Sequence, residues 1–280
     1  MTYQTLSTRR DGAVLYVDIA NPPLNLITIE MVGELFDLAG SLAFDPDTKV
    51  VVLGSSTPEF FVAHFDLNDL FRSMDDPTVP QSRYEDINVL QALTTMWQTL
   101  PQVTIGKVDG IVRGGGLELL LALNMRFVTP DSRLCFPEAA GGFLPTGGGT
   151  TRLAMQLGPA RALEILLSSR DFSGDEAVDY GIANRALPTD ELDTYVAELA
   201  TSVSNRSPQS IAAVKEVVNA VFQNAADAQF AGFAVENTAM NALVNTPDVR
   251  GHMTRMAAMQ DVEHERDLPA SINTAWAAAH

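Results

Sequence analysis

The chain has 280 residues, 46% of them hydrophobic, which suffices for one substantial core with an appendage but not for two independent enzyme domains. Its 18 Lys and Arg against 35 Asp and Glu give a net charge of −17, a field that disfavours nucleic acid and anionic lipid, and a single cysteine, Cys135, excludes a disulfide framework. No apolar run approaches the roughly eighteen residues of a membrane span, and the start MTYQTLSTRRDG lacks the apolar stretch of a signal peptide. A soluble cytoplasmic protein with no nucleic-acid or membrane partner is therefore expected.

In chain order, AVLYVDI (13–19) reads as a strand, 28–44 as a helix with apolar residues at helical spacing, and the unbroken apolar KVVVLG from Lys49 as a buried strand. Residues 66–82 are polar, contain prolines and show no period, which predicts a surface connection bordering a site. A second helix is predicted over 82–99, with Ile87, Leu90, Leu93 and Trp97 on one face and a stop at Leu100-Pro101, followed by the strand VTIGKV (103–108). MRFVT and SRLCF read as two further strands, with Cys135 expected as a buried strand residue rather than a thiol catalyst. From Ser173 the chain reads as helical. Ser173 with Glu176 forms a capping box, Gly181 is a stop, and further helices are predicted at 189–204, from Ser207-Pro208 to about Asn224, at 227–245 and from Thr246-Pro247. This α/β pattern divides into a core carrying the active site over 1–205 and a helical C-terminal region over 206–280. The alanine-rich faces of that second region need a partner surface, and oligomerisation is the simplest one.

The chemistry concentrates around three glycines. Asp109-Gly110-Ile111-Val112-Arg113-Gly114-Gly115-Gly116-Leu117-Glu118 passes from a strand into an apolar helix, so ligand oxygens can approach unpaired amides at the positive helix end. That suits a developing oxyanion; a close helix–strand crossing that needs small residues explains the glycines equally well. The pattern does not read as a dinucleotide fingerprint, and no metal-ligand constellation is visible. Glu118 lies in the first turn of a helix so apolar that its carboxyl must be buried. It is either a proton-transfer group or a structural one, answering the helix dipole or pairing with Arg113 or Arg126. Twenty positions on, Pro137 presents Glu138 at a strand end in a glycine-rich, apolar setting. Two carboxyls facing one pocket tend to divide into one acid and one base.

The run GGGLE, the PE twenty residues later, FLPTGGGTTRL, and LGPARALEILLSSRDFSGDEAVDYGIANRAL together resemble the enoyl-CoA hydratase/isomerase (crotonase) family in order, spacing and character, over about residues 10–220. Upstream, NPPLNLITIEM resembles the family's N-terminal turn and FFVAHFDLNDL its Ala-Gly-x-Asp segment. The resemblance implies a spiral of ββα units with a helical region that joins subunits into trimers or hexamers. It implies an acyl-CoA thioester as substrate, with CoA part of the substrate and no separate cofactor. Carried over by position, the oxyanion-hole amides fall on Phe65 and Gly115, the catalytic carboxyls on Glu118 and Glu138, and the CoA contacts on Leu24, Ala63, Asp66, Leu67 and Asn68. Both glutamates together point to hydration, the syn addition of water across the 2,3 double bond of a 2-enoyl-CoA. Double-bond isomerisation, which in the family generally uses the Glu138 position alone, thioester hydrolysis and hydroxyacyl-CoA cleavage are the alternatives. A non-catalytic acyl-CoA-binding or RNA-binding homologue stands further off, since the chain lacks a basic stripe.

Three positions depart from the family pattern. His64 stands where the family has glycine, Phe65 is bulkier than usual, and HMTRMAAMQDVEHERD lacks the basic ending that helps hold CoA's adenine in many relatives. An acyl pocket lined by Phe65, Leu70, Phe71, Met96, Trp97, Phe143 and Leu144 is expected.

Overall fold

The computed structural model describes residues 3–66, 69, 72, 88–139 and 144–223. The chain divides into two compact units, Met1–Arg206 and Ser207–His280. In the first, strands β1 (Leu6–Asp11) and β2 (Val14–Ile19) form a hairpin, closed at Gly12 with φ of 56°. Helix α1 (Ile29–Leu42) follows, its first turn capped by the Thr28 hydroxyl, which accepts from Met31 N–H at 3.1 Å.

The chain then repeats one step three times: a strand of a large sheet, a short strand of a small sheet, and a helix. The steps are β3 (Val50–Ser55), β4 (Phe60–Val62) and α2 (Val89–Thr99); β5 (Val103–Val108), β6 (Ile111–Arg113) and α3 (Gly115–Ala122); and β7 (Met125–Val128), β8 (Arg133–Cys135) with α4 (Gly149–Leu157) and α5 (Pro159–Ser168). The MRFVT and SRLCF strands thus belong to different sheets. The unit ends with β9 (Phe172–Ser173), α6 (Gly174–Tyr180), β10 (Arg185–Ala186) and α7 (Thr189–Ser204). The large sheet runs β1-β2-β3-β5-β7-β10 and the small one β4-β6-β8-β9; all neighbours are parallel except β1–β2 and β8–β9. This is the α/β spiral of ββα units that the resemblance implies.

Successive corners of the spiral are stitched together. Ile111 N–H donates to Glu59 O at 2.8 Å and Arg133 N–H to Gly110 O at 3.1 Å. At Gly110, with φ of 124°, a Cβ would lie 2.4 Å from the Glu59 carbonyl oxygen, so the corners stack only with glycine there. Trp97 of α2 is fully buried and donates its indole N–H to Leu35 O at 3.3 Å. It therefore belongs to the core rather than to an acyl pocket, because an aromatic at helical spacing faces whatever its helix packs against. α2 begins at Val89 behind an Asn88–Gln91 capping box, and residues 82–87 of the predicted helix lie outside the described residues.

In the second unit the described part is α8 (Pro208–Gln223), where Ser207 Oγ accepts from Ser210 N–H at 3.0 Å. Val214, Val218 and Val221 form an exposed stripe along it. The helices predicted at 227–245 and from Thr246-Pro247 lie outside the described residues, as do Leu70, Phe71 and Phe143.

Candidate active site

The strand-to-helix turn at 113–115 forms one wall of the site. Gly114 adopts φ of 49° and ψ of −126°, and a Cβ on it would meet Glu138 Oε1 at 2.9 Å, so conformation and space both require glycine. Its N–H donates to Cys135 O at 3.0 Å, tying the turn to the strand that leads into Pro137 and Glu138. The first intrahelical bond of α3 runs from Glu118 N–H to Gly114 O, and the helix has no side-chain cap. The Gly115 amide precedes that bond and points out of the helix start.

Phe65 sits opposite. Ile27 and Phe65 form a parallel bridge in which Ile27 N–H donates to His64 O at 3.0 Å and Asp66 N–H donates to Ile27 O at 2.9 Å. In that pattern the N–H of the intervening Phe65 faces away from Ile27. A Cβ on Gly115 would lie 3.6 Å from Phe65 Cβ, so the two residues border one small space. Its walls include Ile27 and Leu90, whose methyl carbons would lie 3.4 and 3.5 Å from the same Cβ. The Phe65 carbonyl is 2.8 Å from His64 Nδ1.

The two carboxyls differ in their surroundings. Glu118 is 2% exposed. Burial pushes its pKa up, against hydrogen bonds from the Gly149 and Gly147 amides and the positive charge of Arg152. The Gly149 bond to Oε1 is 2.8 Å. Glu138 is 7% exposed, and its Oε2 is buried with no hydrogen-bond partner among the described residues. Burial pushes its pKa to about 7; its own backbone N–H works the other way and the charge of Glu118 adds to the rise. Two amides and a cation thus favour the charged form of Glu118 against its burial, whereas Glu138 has its own backbone N–H acting in that direction.

Neither arginine weighed from the sequence as a partner of Glu118 fills that place. Arg113 pairs with Asp171, and the half-buried Arg126 donates to the carbonyls of Leu123 and Ile182. The cation acting on Glu118 is Arg152, which sequence reasoning missed because it lies 34 positions away on another helix. Gly147, Gly149 and Leu90 were likewise not read as site residues. Asn25 was missed too. Buried with φ of 50°, it donates to Ser55 Oγ and the Phe61 carbonyl and accepts from Asn21 N–H and the Thr57 hydroxyl, fixing the loop beside residues 63–66.

Of the positions carried over for CoA, Leu24 is partly exposed and its carbonyl accepts from Ala63 N–H at 3.1 Å, so the two stand side by side. Asp66 Oδ1 accepts from Asp69 N–H at 3.2 Å. Leu67 and Asn68 lie outside the described residues. Leu144 is 57% exposed rather than enclosed. Cys135 is buried, its thiol pushed up to about 11, first by burial, which makes it inert as a nucleophile.

The family model for enoyl-CoA hydratase/isomerase matches residues 9–265. The chain belongs to that family. A carnitinyl-CoA dehydratase of Proteus mirabilis (strain HI4320) is 30% identical over 217 residues, 78% of this chain and 81% of that protein. The structure of enoyl-CoA hydratase subunit I from Geobacillus kaustophilus HTA426 superposes with a TM-score of 0.82 at 26% identity, covering 92% of this chain and 97% of that one. The Bacillus anthracis enoyl-CoA hydratase, at 24% identity and a TM-score of 0.80 over 91% and 96%, shares the fold. This family member is thus an enzyme of acyl-CoA metabolism on the crotonase fold.

Proposed function

We propose that this enzyme hydrates a 2-enoyl-CoA, adding water syn across the 2,3 double bond, with Glu118 as base and Glu138 as acid. The observation that carries the reading is a pair of buried carboxyls in opposed environments: Glu118 held by two amides, Glu138 with an unpartnered buried oxygen. A one-carboxyl isomerase has no need of the first. In the proposed step the thioester oxygen accepts hydrogen bonds from the Phe65 and Gly115 amides, each typically worth about 2.7–4 kcal/mol to the enolate-like transition state. Ionised Glu118 takes a proton from water as its oxygen bonds to C3. The π electrons shift toward the thioester, and Glu138 delivers its proton to C2.

The same groups run the reaction backwards, with Glu138 taking the proton from C2 and Glu118 protonating the departing hydroxyl. The likeness to a dehydratase supports that water chemistry. CoA is placed against Leu24, Ala63, Asp66, Leu67 and Asn68, and no cofactor beyond the substrate's own CoA is required. A cytoplasmic setting fits a charged thioester that does not cross membranes. Assembly into trimers or hexamers is part of the proposal, supported by the exposed valine stripe of α8. A panel of acyl-CoA thioesters with product analysis tests the reaction. A 3-hydroxyacyl-CoA from a short 2-enoyl-CoA is expected; a shifted double bond or free CoA as the sole product would refute it.

A further inference from the structure

Arg152 is half-buried, and no carboxylate lies within ion-pair distance of it among the described residues. A guanidinium partly withdrawn from water without a paired acid needs other acceptors for its donors. Its donors are instead spent on neutral groups of α2 and on the turn before α4. Nη1 donates to Thr94 Oγ1 and to Gly147 O, both at 3.1 Å, while Nε and Nη2 fork onto Gln98 Oε1 at 3.1 and 2.9 Å. Thr94, itself fully buried, donates its hydroxyl to the same Gly147 carbonyl at 2.7 Å. The turn wraps the guanidinium so closely that a Cβ on Gly148, where φ is 101°, would lie 1.9 Å from Nη1. The residues gripped in this way are those whose N–H groups hold Glu118: Gly147 directly, and Gly149 two positions on.

We infer that Arg152, clamped by Thr94 and Gln98, is a positioning residue for Glu118, holding the Gly147–Gly149 amides on its carboxylate and setting a positive charge against it. This rests on the hydratase reading and adds to it the reason why Glu118, and not Glu138, is the base. Among the described residues, few groups around Glu118 can bias its charge. Helix α2 carries no charged residue, α3 carries only Glu118, the segment before and through α4 carries only Arg152, the 136–139 segment carries Glu138, and His64 packs at Gly114, its Cβ 3.6 Å from where a Cβ on that glycine would lie. Glu138 pushes Glu118 toward protonation, so Arg152 is the only charge in this set that opposes it.

The test titrates Glu118 by carboxyl-carbon NMR and records the pH profile of kcat/KM for hydration in wild type, Arg152→Met and Arg152→Lys. Arg152→Met is expected to raise the Glu118 midpoint by about one pH unit or more, a tenfold change in its ionisation. It should carry the acid limb of the profile up by the same amount, and KM should change no more than about twofold, since Arg152 acts on the base rather than on binding. Arg152→Lys keeps the charge and should return most of the limb. An unmoved midpoint and limb in folded Arg152→Met would overturn the inference, as would a limb that moves equally in the Lys variant. If Arg152→Met does not fold, Gln98→Met, which removes only the outer half of the clamp, decides by the same criterion with a smaller upward shift. Glu118→Gln is assayed alongside. If it hydrates at the wild-type rate, the hydratase reading itself fails; if it is impaired while the Arg152→Met limb stays put, only the role of Arg152 is lost.

Discussion

Gly114→Ala separates what the glycine turn does for the fold from what it does for the site. At φ of 49° and ψ of −126° an alanine is strained, which typically costs about 1–3 kcal/mol. The added methyl would lie 2.9 Å from Glu138 Oε1. That oxygen is the free end of a side chain, so it moves aside with little further loss of stability. Moving a reacting carboxyl by about 1 Å, however, costs on the order of 10²-fold in turnover. Gly12 supplies the control, since its φ of 56° is also positive but nothing lies within 4 Å of its would-be Cβ. Gly12→Ala should therefore lose about 1–2 kcal/mol and keep its turnover. Urea unfolding and steady-state hydration on the two variants make the comparison. If Gly114→Ala loses stability but hydrates at the wild-type rate, the contact between this turn and Glu138 has no part in the reaction.

Gly115→Pro should fold, because Gly115 opens its helix where proline is tolerated, yet lose about 10²-fold or more in kcat through the missing amide; near-normal turnover would remove Gly115 from the oxyanion hole. With Glu138 as the proton donor and its pKa near 7, kcat/KM for hydration should fall roughly tenfold per unit well above pH 7, and a profile flat to pH 9 would contradict that role. The same carboxyl sets a pH dependence of stability. Its folded pKa lies above the ordinary 4.5, so the native state holds a proton that the unfolded state has released between these values, and stability falls as pH rises from about 4.5 through 7. Denaturant melts at pH 5 and 8 should show wild type losing up to about 3 kcal/mol relative to Glu138→Gln, and equal changes in both would show the carboxyl to be ordinary.

Apolar patterning made α1, β3, α2 and β5 legible in the sequence, and cap chemistry placed the starts of α6 and α8 at Ser173 and Ser207. The edge strand Leu6–Asp11 was not read, because five of its six residues are exposed and an edge with no buried face has no alternation to detect. β4 and β6, at three residues each, are too short for a period. The helices α4 and α5 were quoted only as part of a resemblance, since the first grows out of TGGGTTR, where propensity argues against a helix, and a single residue, Gly158, parts the two. In the site, chain order and glycine spacing pointed to Glu118, Glu138 and Gly115. What holds Glu118 could not be read, because the Gly149 amide and Arg152 reach it from 31 and 34 positions away through a tertiary contact. The two arginines weighed from the sequence are both engaged elsewhere: Asp171 takes Arg113, and backbone carbonyls take Arg126.

The central claim is that two carboxyls share the work. Hydration of a short 2-enoyl-CoA by wild type, Glu118→Gln, Glu138→Gln and the double variant, with label uptake from heavy water followed on the same four proteins, tests it most directly. Each single change should reduce hydration by roughly 10²- to 10⁴-fold while preserving the fold, and the double variant should be little worse than the more damaged single one, because the pair acts as a unit. Hydration by Glu118→Gln at the wild-type rate, with only Glu138→Gln impaired, would contradict the claim and leave a one-carboxyl reaction such as double-bond isomerisation in its place.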